Sequence, residues 1–310
     1  MWCAAPSVLS VPHDTDKRPG QHGRVGPSDH HQRSCNPNPP SRRRGYRSDV
    51  SDTAWARIAR FLVPTHPKGG RPCPPHRWRE YLDAILYLLR TGCAWRHLPH
   101  DFSVSWSAAH KHFLRWCRNG IWARILTTVR GEVRTRSGRQ RRPTAAVVDS
   151  SSVTASPVAG PRGFDGAKKV DGVKRHVLVD SAGVLVAAIV TPADVQDRAA
   201  FPTLLSKARR VAPTISHVWV DKGYTGQAVT TAAAKAGVTV DVVSGPKPGH
   251  GFIVQPRRWV VERTNGWINH CRRIDRHYET TLAAHEGFLY LSQIALLLRR
   301  LDRSQLFDTL

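Results

Sequence analysis

The apolar residues of this chain recur with one period before residue 134 and with another after residue 143, so two kinds of secondary structure are written in series along it. Over residues 51–133 the spacing is helical. Ser51 can cap a first helix carrying Trp55, Ile58, Phe61 and Leu62, and Pro64 ends it. After a turn cluster at residues 69–75, a second helix buries Trp78, Leu82, Ile85, Leu86 and Leu89 and stops at Gly92. A third, residues 105–118, sets Trp106, Ala109, Phe113 and Cys117 on one face, and a fourth covers residues 121–133. Residues 134–143, RTRSGRQRRP, hold five arginines with Gly and Pro and no apolar period, which predicts a basic linker at a domain boundary.

Beyond the boundary short apolar runs alternate with helical stretches. Residues 145–148 read as a strand, 175–179 and 185–191 as a hairpin around the turn at 180–183, and 218–220 as a fourth strand. Helices are expected at 199–207 and 227–236, a strand at 238–243, a helix at 256–276 and a last helix at 284–301. Three strands, helix, strand, helix, strand, helix is the order of an RNase H-like α/β domain. The expected fold is therefore a mixed five-stranded sheet with helices over residues 144–303, preceded by a small all-α, helix-turn-helix-like domain over residues 50–133, with a short tail at 304–310.

Charge narrows the partner. The 47 Lys and Arg against 23 Asp and Glu leave a formal charge of +24, a self-repelling excess unless a polyanion is the usual partner. Double-stranded DNA fits, and the third helix, with Lys111, Arg115 and Arg118 off its apolar face, is the expected recognition helix; a plain bundle with solvated cations is the alternative. Residues 1–49 are rich in Pro, Ser, Gly, His and Arg and read as disordered. Met1 is the only methionine, so this stretch is expected to be either an over-extended reading frame or a basic arm on the DNA backbone. The six cysteines form no C-x-x-C pair, which reads as reduced thiols in a bacterial cytoplasm, and no apolar run approaches the ~18 residues of a membrane span.

Acids are scarce enough for their positions to be informative. Asp149 ends the first strand (AAVVD) and Asp221 the fourth (VWVD), and in an open α/β sheet strand ends face the ligand crevice. Two carboxylates aimed at one crevice repel unless a cation lies between them, and hard oxygen ligands favour Mg²⁺ or Mn²⁺. Glu262 lies in RRWVVERTNGWINHCRR, where Val260, Thr264, Trp267, Cys271 and Ile274 form a buried helical stripe and Arg258, Glu262, Asn265, Asn269 and Arg273 the opposite polar face. The bland readings are turn or capping acids for the aspartates and a salt bridge to Arg258 for Glu262.

The segments VVDSSSV, VWVDKGYTG and RRWVVERTNGWINHCRRIDRHYE resemble the three catalytic motifs of bacterial insertion-sequence DDE transposases of the IS Five type, and DTAWARIARFLVP through ILYLLRTGCAWRHLPHDF resembles the helical domain before them. The resemblance covers about residues 50–301. It implies Asp149, Asp221 and Glu262 as ligands of two divalent ions that cut at the element's terminal inverted repeats and join the freed 3′-hydroxyl to target DNA, with chains assembling as a homo-oligomer on DNA. Arg258 and Glu262 match the family's glutamate motif; Gln255 stands at its Tyr position and Asn269 at its Lys position, with His270, Arg272 and Arg273 close enough to substitute as phosphate contacts.

Neither the serines after Asp149 nor Tyr224 has to be a nucleophile in such a reaction; the serines are expected to hydrogen-bond locally. Lys168, Lys169, Lys174, Arg175 and His176 crowd a turn beside the expected site, which suits phosphate backbone or, more blandly, a charged hairpin edge. Trp259 is expected in the core rather than stacked on a base. Rival readings are a nuclease of the same fold that does not join, and an inactive remnant that only binds DNA.

Overall fold

The computed structural model describes residues 45–64, 74–243 and 258–302, apart from the Arg258 side chain. The expected N-terminal extension up to residue 44, the turn at 69–75 up to Cys73, Gln255 and the tail beyond 302 lie outside the described residues, whereas residues 45–49 of that extension are described, with the Tyr46 hydroxyl donating to Asp101.

Ser51 caps α1 (Asp52–Leu62) by accepting from the Ala54 amide, and Ala54, Ile58 and Leu62 face inward. α2 (Pro75–Thr91) ends at Gly92 in the left-handed conformation, φ 76°. Glycine is needed there twice over, because a Cβ would lie only 2.9 Å from Cβ of Arg272. Ser105 caps α3 (Trp106–Arg118), whose buried side is Ala109, Phe113 and Trp116; Trp106 is exposed instead. α4 (Ile121–Arg136) runs past the expected end. The arginine that suggested a solvated linker, Arg134, is buried, bonded to Asp180 and to the Gln140 carbonyl. Only residues 137–144 remain to connect α4 to the sheet.

The sheet is built on β1 (Ala145–Thr154). β3 (Val170–Asp180) pairs antiparallel on one side of it and β5 (His217–Val220) pairs parallel on the other. β4 (Leu185–Pro192) extends the antiparallel side and β6 (Thr239–Val242) the parallel side. A three-residue strand absent from the sequence reading, β2 (Gly163–Asp165), pairs with the start of β3 on the edge that β4 then occupies. The order β4–β3–β1–β5–β6, two antiparallel pairs then two parallel ones, is that of an RNase H-like fold. α5 (Asp197–Val211) crosses from β4 to β5 and α6 (Gln227–Ala236) from β5 to β6.

Period-two alternation splits the strands between two cores. Ala146, Val148, Leu178, Val218 and Val220 pack with Phe201, Leu204 and Val229 from α5 and α6. Val147, Val177, Val179 and Leu185 pack on the other face with the N-terminal helices, α7 (Arg258–Asn269) and α8 (Leu282–Asp302). α8 joins the helical region to the sheet: Phe288 stacks on Phe113 of α3 at 4.2 Å, while the hydroxyl of Tyr290 accepts from the Ala188 amide of β4. The four N-terminal helices thus share a core with the sheet and are not separated from it by a solvated seam.

Phe288→Ala should therefore lower stability by about 3–5 kcal/mol, and urea unfolding followed by tryptophan fluorescence and by far-UV dichroism should remain a single coincident transition. Two separated transitions would show helical region and sheet to be independent. A second expectation concerns His277 and His285, both buried with their Nδ1 atoms 3.2 Å apart. Burial lowers His277 to about 4 and carries His285 well below its ordinary 6.5. The unfolded chain takes up protons near 6.5 while the folded one does not, so stability should be lost as pH falls from 6.5 toward 4. The melting temperature of His285→Gln should depend less steeply on pH across that window.

Candidate active site

Asp149 lies within β1 rather than at its end. β1 continues to Thr154 because β3 stays paired with it from Asp149↔Val177 to Thr154↔Gly172, whereas the parallel partner β5 stops at Val220. Asp149 is thus the place where one neighbour ends and the other goes on. The parallel register sets Ala145 beside His217, Ala146 beside Val218 and Val147 beside Trp219. Two residues further along each strand, Asp149 and Asp221 stand at the same level on the face of Val147 and Trp219. Asp221 caps a short turn by accepting from the Gly223 amide at 3.0 Å, which fixes its carboxylate at the strand's end.

α7 covers this same face through Val260, Val261 and Ile268. Asn265 donates from Nδ2 to Oδ2 of Asp149 at 3.0 Å, and Asn269 accepts from Arg175 at 3.2 Å. These two bonds dock the polar side of α7 on the centre of the sheet. Glu262 is exposed and lies three residues before Asn265, one helical turn away on the same side. The sequence reading placed Asn265 on this face without a role; nothing in the spacing pointed to Asp149 as its partner. Among the described residues no three Asp, Glu, His or Cys side chains are drawn together closely enough to hold a metal ion.

On the opposite face of β1 a polar network lies under the loop that carries Asp221. Tyr224 is buried, and its hydroxyl meets Nδ1 of His176 at 3.1 Å and the Ser150 side chain. Burial, reinforced by the carboxylates of Asp197, Asp149 and Asp221, raises this phenol well above 10, so it stays neutral. Burial lowers His176 to about 4 despite Asp197 nearby. Ser152 donates to Asp165, and Ser151 accepts from Nε of Arg175. All three serines are thus held by side chains distant in the sequence and not by the local bonds expected of them.

Asp197 escaped the sequence reading because an acid in a helix's first turn is ordinary. A Cβ at Gly223 would lie 3.0 Å from Oδ2 of Asp197 and 3.1 Å from Oδ1 of Asp221, so the two carboxylates close on the loop from either side. A polar cleft of about 520 Å³ opens there, lined by Lys174, Asp197, Arg198, Lys222 and Thr225 among others.

The expected DNA-facing cations separate into two groups. Lys174, Arg175 and Arg273 are buried and hold the protein together. Lys174 lies 3.6 Å from Asp165 and 3.3 Å from Asp197 and donates to the Val195 carbonyl. Arg175 donates to Ser151, Asn269 and the Ile274 carbonyl, and burial lowers it to about 10, still charged at neutral pH. Arg273 pairs with Glu279 at 2.7 Å and donates to the Cys93 carbonyl. Their internal partners sit far away in sequence, which is why a charge count assigned them to the surface.

Lys111, Arg115, Lys168, Lys169, His270 and Arg272 are exposed. Nζ of Lys168 reaches the carbonyl of Ser150, next to Asp149. Arg115 lies over the Trp78 ring. The expectation of a core role for Trp259 fails: it is 46 % exposed, with the Arg263 guanidinium 4.6 Å from its ring. Lys174→Met should cost about 3–5 kcal/mol by stranding two carboxylates, whereas Lys168→Gln should stay within about 0.5 kcal/mol of wild type. Thermal melts of the pair check this, and equal melting temperatures would contradict it.

Comparison with known proteins agrees with the motifs. Residues 50–126 match the family described as a putative transposase of the IS4/5 family, and residues 140–298 match the transposase DDE domain. A putative transposase for insertion sequence element IS402 of Burkholderia cepacia is 31 % identical over 158 residues, 48 % of this chain and 74 % of that protein. An uncharacterised 16.2 kDa protein of the same element is 32 % identical over 111 residues, 34 % of this chain and 73 % of that protein. Among solved structures, a Mos1 transposase paired-end complex with left transposon end overlaps 57 % of this chain and 61 % of its own, at 12 % identity and a TM-score of 0.23. So slight a likeness adds nothing to the fold, which rests on strand order.

Proposed function

Because this chain belongs to the DDE transposase family, we propose that Asp149, Asp221 and Glu262 hold divalent ions, Mg²⁺ or Mn²⁺, with which it cuts DNA at the ends of an insertion sequence and joins them to a target. The observation that carries the reading is positional: two aspartates at one level of a parallel strand pair, on the face crossed by the helix that bears Glu262. The donor set fits the ions in kind, since carboxylate oxygens are the hard ligands they take. Asn265 donates to Oδ2 of Asp149 and so orients the carboxylate that would hold an ion. Bound ions supply charge neutralisation at the scissile phosphate and an acidified water.

The protein's own part is positioning. The sheet holds Asp149 and the turn at Gly223 holds Asp221, so neither carboxylate has to be ordered when DNA arrives. In the first step a water oxygen bonds to phosphorus and the P–O3′ bond breaks, leaving a 3′-hydroxyl and a 5′-phosphate. In the second, that hydroxyl attacks a target phosphodiester and displaces the target's own 3′-oxygen. Tyr224 is neutral, buried and bonded to His176, so it takes no covalent part.

In this reading the exposed Lys168, Lys169, His270 and Arg272 hold backbone phosphates, with Arg258 contributing from the start of α7. Lys111 and Arg115 serve on α3, the recognition helix of this reading. Double-stranded DNA of element ends and target is the partner, with copies of the chain assembling on it. No helix among the described residues is long and apolar enough to cross a membrane.

Asp149→Asn, Asp221→Asn and Glu262→Gln should each lower single-turnover cleavage of an end-bearing duplex by more than about 100-fold, with end binding retained. Near-normal cleavage by any of them would remove that residue from the ligand set. Chelation should abolish cleavage in the wild type and leave binding intact. Strand-transfer products from a pre-cleaved end distinguish a transposase from a nuclease that only cuts, and terminal inverted repeats flanking the gene would identify the substrate ends.

A further inference from the structure

A second cationic site lies at the other end of the sheet from the carboxylates. Arg124 and Arg130 of α4, Arg141 and Arg142 of the α4–β1 connection and Arg210 of α5 line one cavity of about 450 Å³, beside Phe61. Among the described residues no acid lines it. Asp180, whose charge acts on Arg130, is bonded to Arg134 instead.

Two features show that this cavity is built rather than a chance meeting of surface charges. Arg130 is 1 % exposed, yet its guanidinium makes no ion pair among the described residues. It donates to the carbonyls of Leu185, Val186 and Val211 at 3.3–3.4 Å, and its Nε has no partner. A buried charge without a direct ion pair is costly, and an anion entering the cavity would supply one. The second feature is Gly131, in the interior of α4, where glycine weakens a helix. A Cβ there would lie 2.8 Å from Cγ and 3.0 Å from Nε of Arg141, so the missing side chain is the space in which that arginine lies.

The cavity opens where β1 and β5 begin. Arg142 precedes β1 by three residues and Pro213 precedes β5 by four, whereas Asp149 and Asp221 stand toward the far ends of the paired segment. At about 3.3 Å per residue the seven residues from Arg142 to Asp149 span roughly 20 Å, about the width of a duplex. A phosphate in this cavity is therefore not the one being cut.

We propose that the Arg124–Arg130–Arg142 cavity binds the phosphate backbone of a DNA segment other than the one at the carboxylates, either further along the same duplex or on a second one. The proposal rests on the reading of this chain as a DNA-acting protein. With several guanidinium groups and no acid in its lining, the site selects for phosphate charge and not for base sequence.

The test is equilibrium binding of the full-length chain to a random-sequence 40-base-pair duplex in EDTA, from about 50 to 300 mM KCl, a range over which each phosphate contact contributes about 0.9 to the slope of log K against log salt. Arg124→Gln with Arg142→Gln should reduce the slope by about 2, while a charge-matched control at exposed positions, Arg47→Gln with Lys235→Gln, should leave it near the wild-type value. Arg130 is left unchanged so that folding is not at issue. An unchanged slope in the first variant, or equal falls in both, overturns the proposal. Wild-type protein that binds no duplex at all would instead overturn the DNA-acting reading.

Discussion

The parallel register between β1 and β5 is the constraint on which the candidate site depends. Pairing of Val147 with Trp219 sets two aspartates, 72 residues apart in the chain, at one level and on one face. A slip of one residue would turn one strand's side chains over and part the two carboxylates. The same slip would exchange the apolar residues between the two cores, so burial on both faces protects the geometry of the site. Chemistry and stability are thus enforced by one alternation.

Around that register the protein's cations have been divided by burial. Lys174, Arg175 and Arg273 tie β3, α7 and the turn after α7 to the rest of the protein, while Arg134 fastens α4 to the end of β3. Each has partners that satisfy its donors, as a buried charge requires. Arg130 is the departure from this pattern, buried with its Nε left without a hydrogen-bond partner, which is why its cavity stands apart from the internal network. The formal charge of +24 consequently overstates what DNA can meet.

The N-terminal helices are integral to the catalytic scaffold. The family matches divide the chain near residue 126–140, close to where the hydrophobic period changes. In space the division is bridged by α8, which packs on Phe113 with one stretch of its surface and on β4 with another. α3 is therefore held at a fixed offset from the carboxylates, with α8 packed on both α3 and the sheet.

The sequence by itself determined the types of the main elements, the helix cap at Ser51, the stop at Gly92, the RNase H-like order of strands and helices, and the three acids of the family motif. These rest on local properties, periodicity and capping chemistry, which act within a few residues and survive as pattern. Only the tertiary structure decided that β1 runs through Asp149 to Thr154, since a polar DSSSVT stretch becomes a strand only when β3 offers it a ladder. It also decided that Asn265 meets Asp149, that Asp197 closes on the Asp221 loop, that Trp259 is exposed, and that a supposed linker is the end of a helix. Most of these outcomes turn on a partner tens of residues away. Whether a charged or polar side chain faces water or a counter-charge is set by that partner and not by its neighbours in the chain.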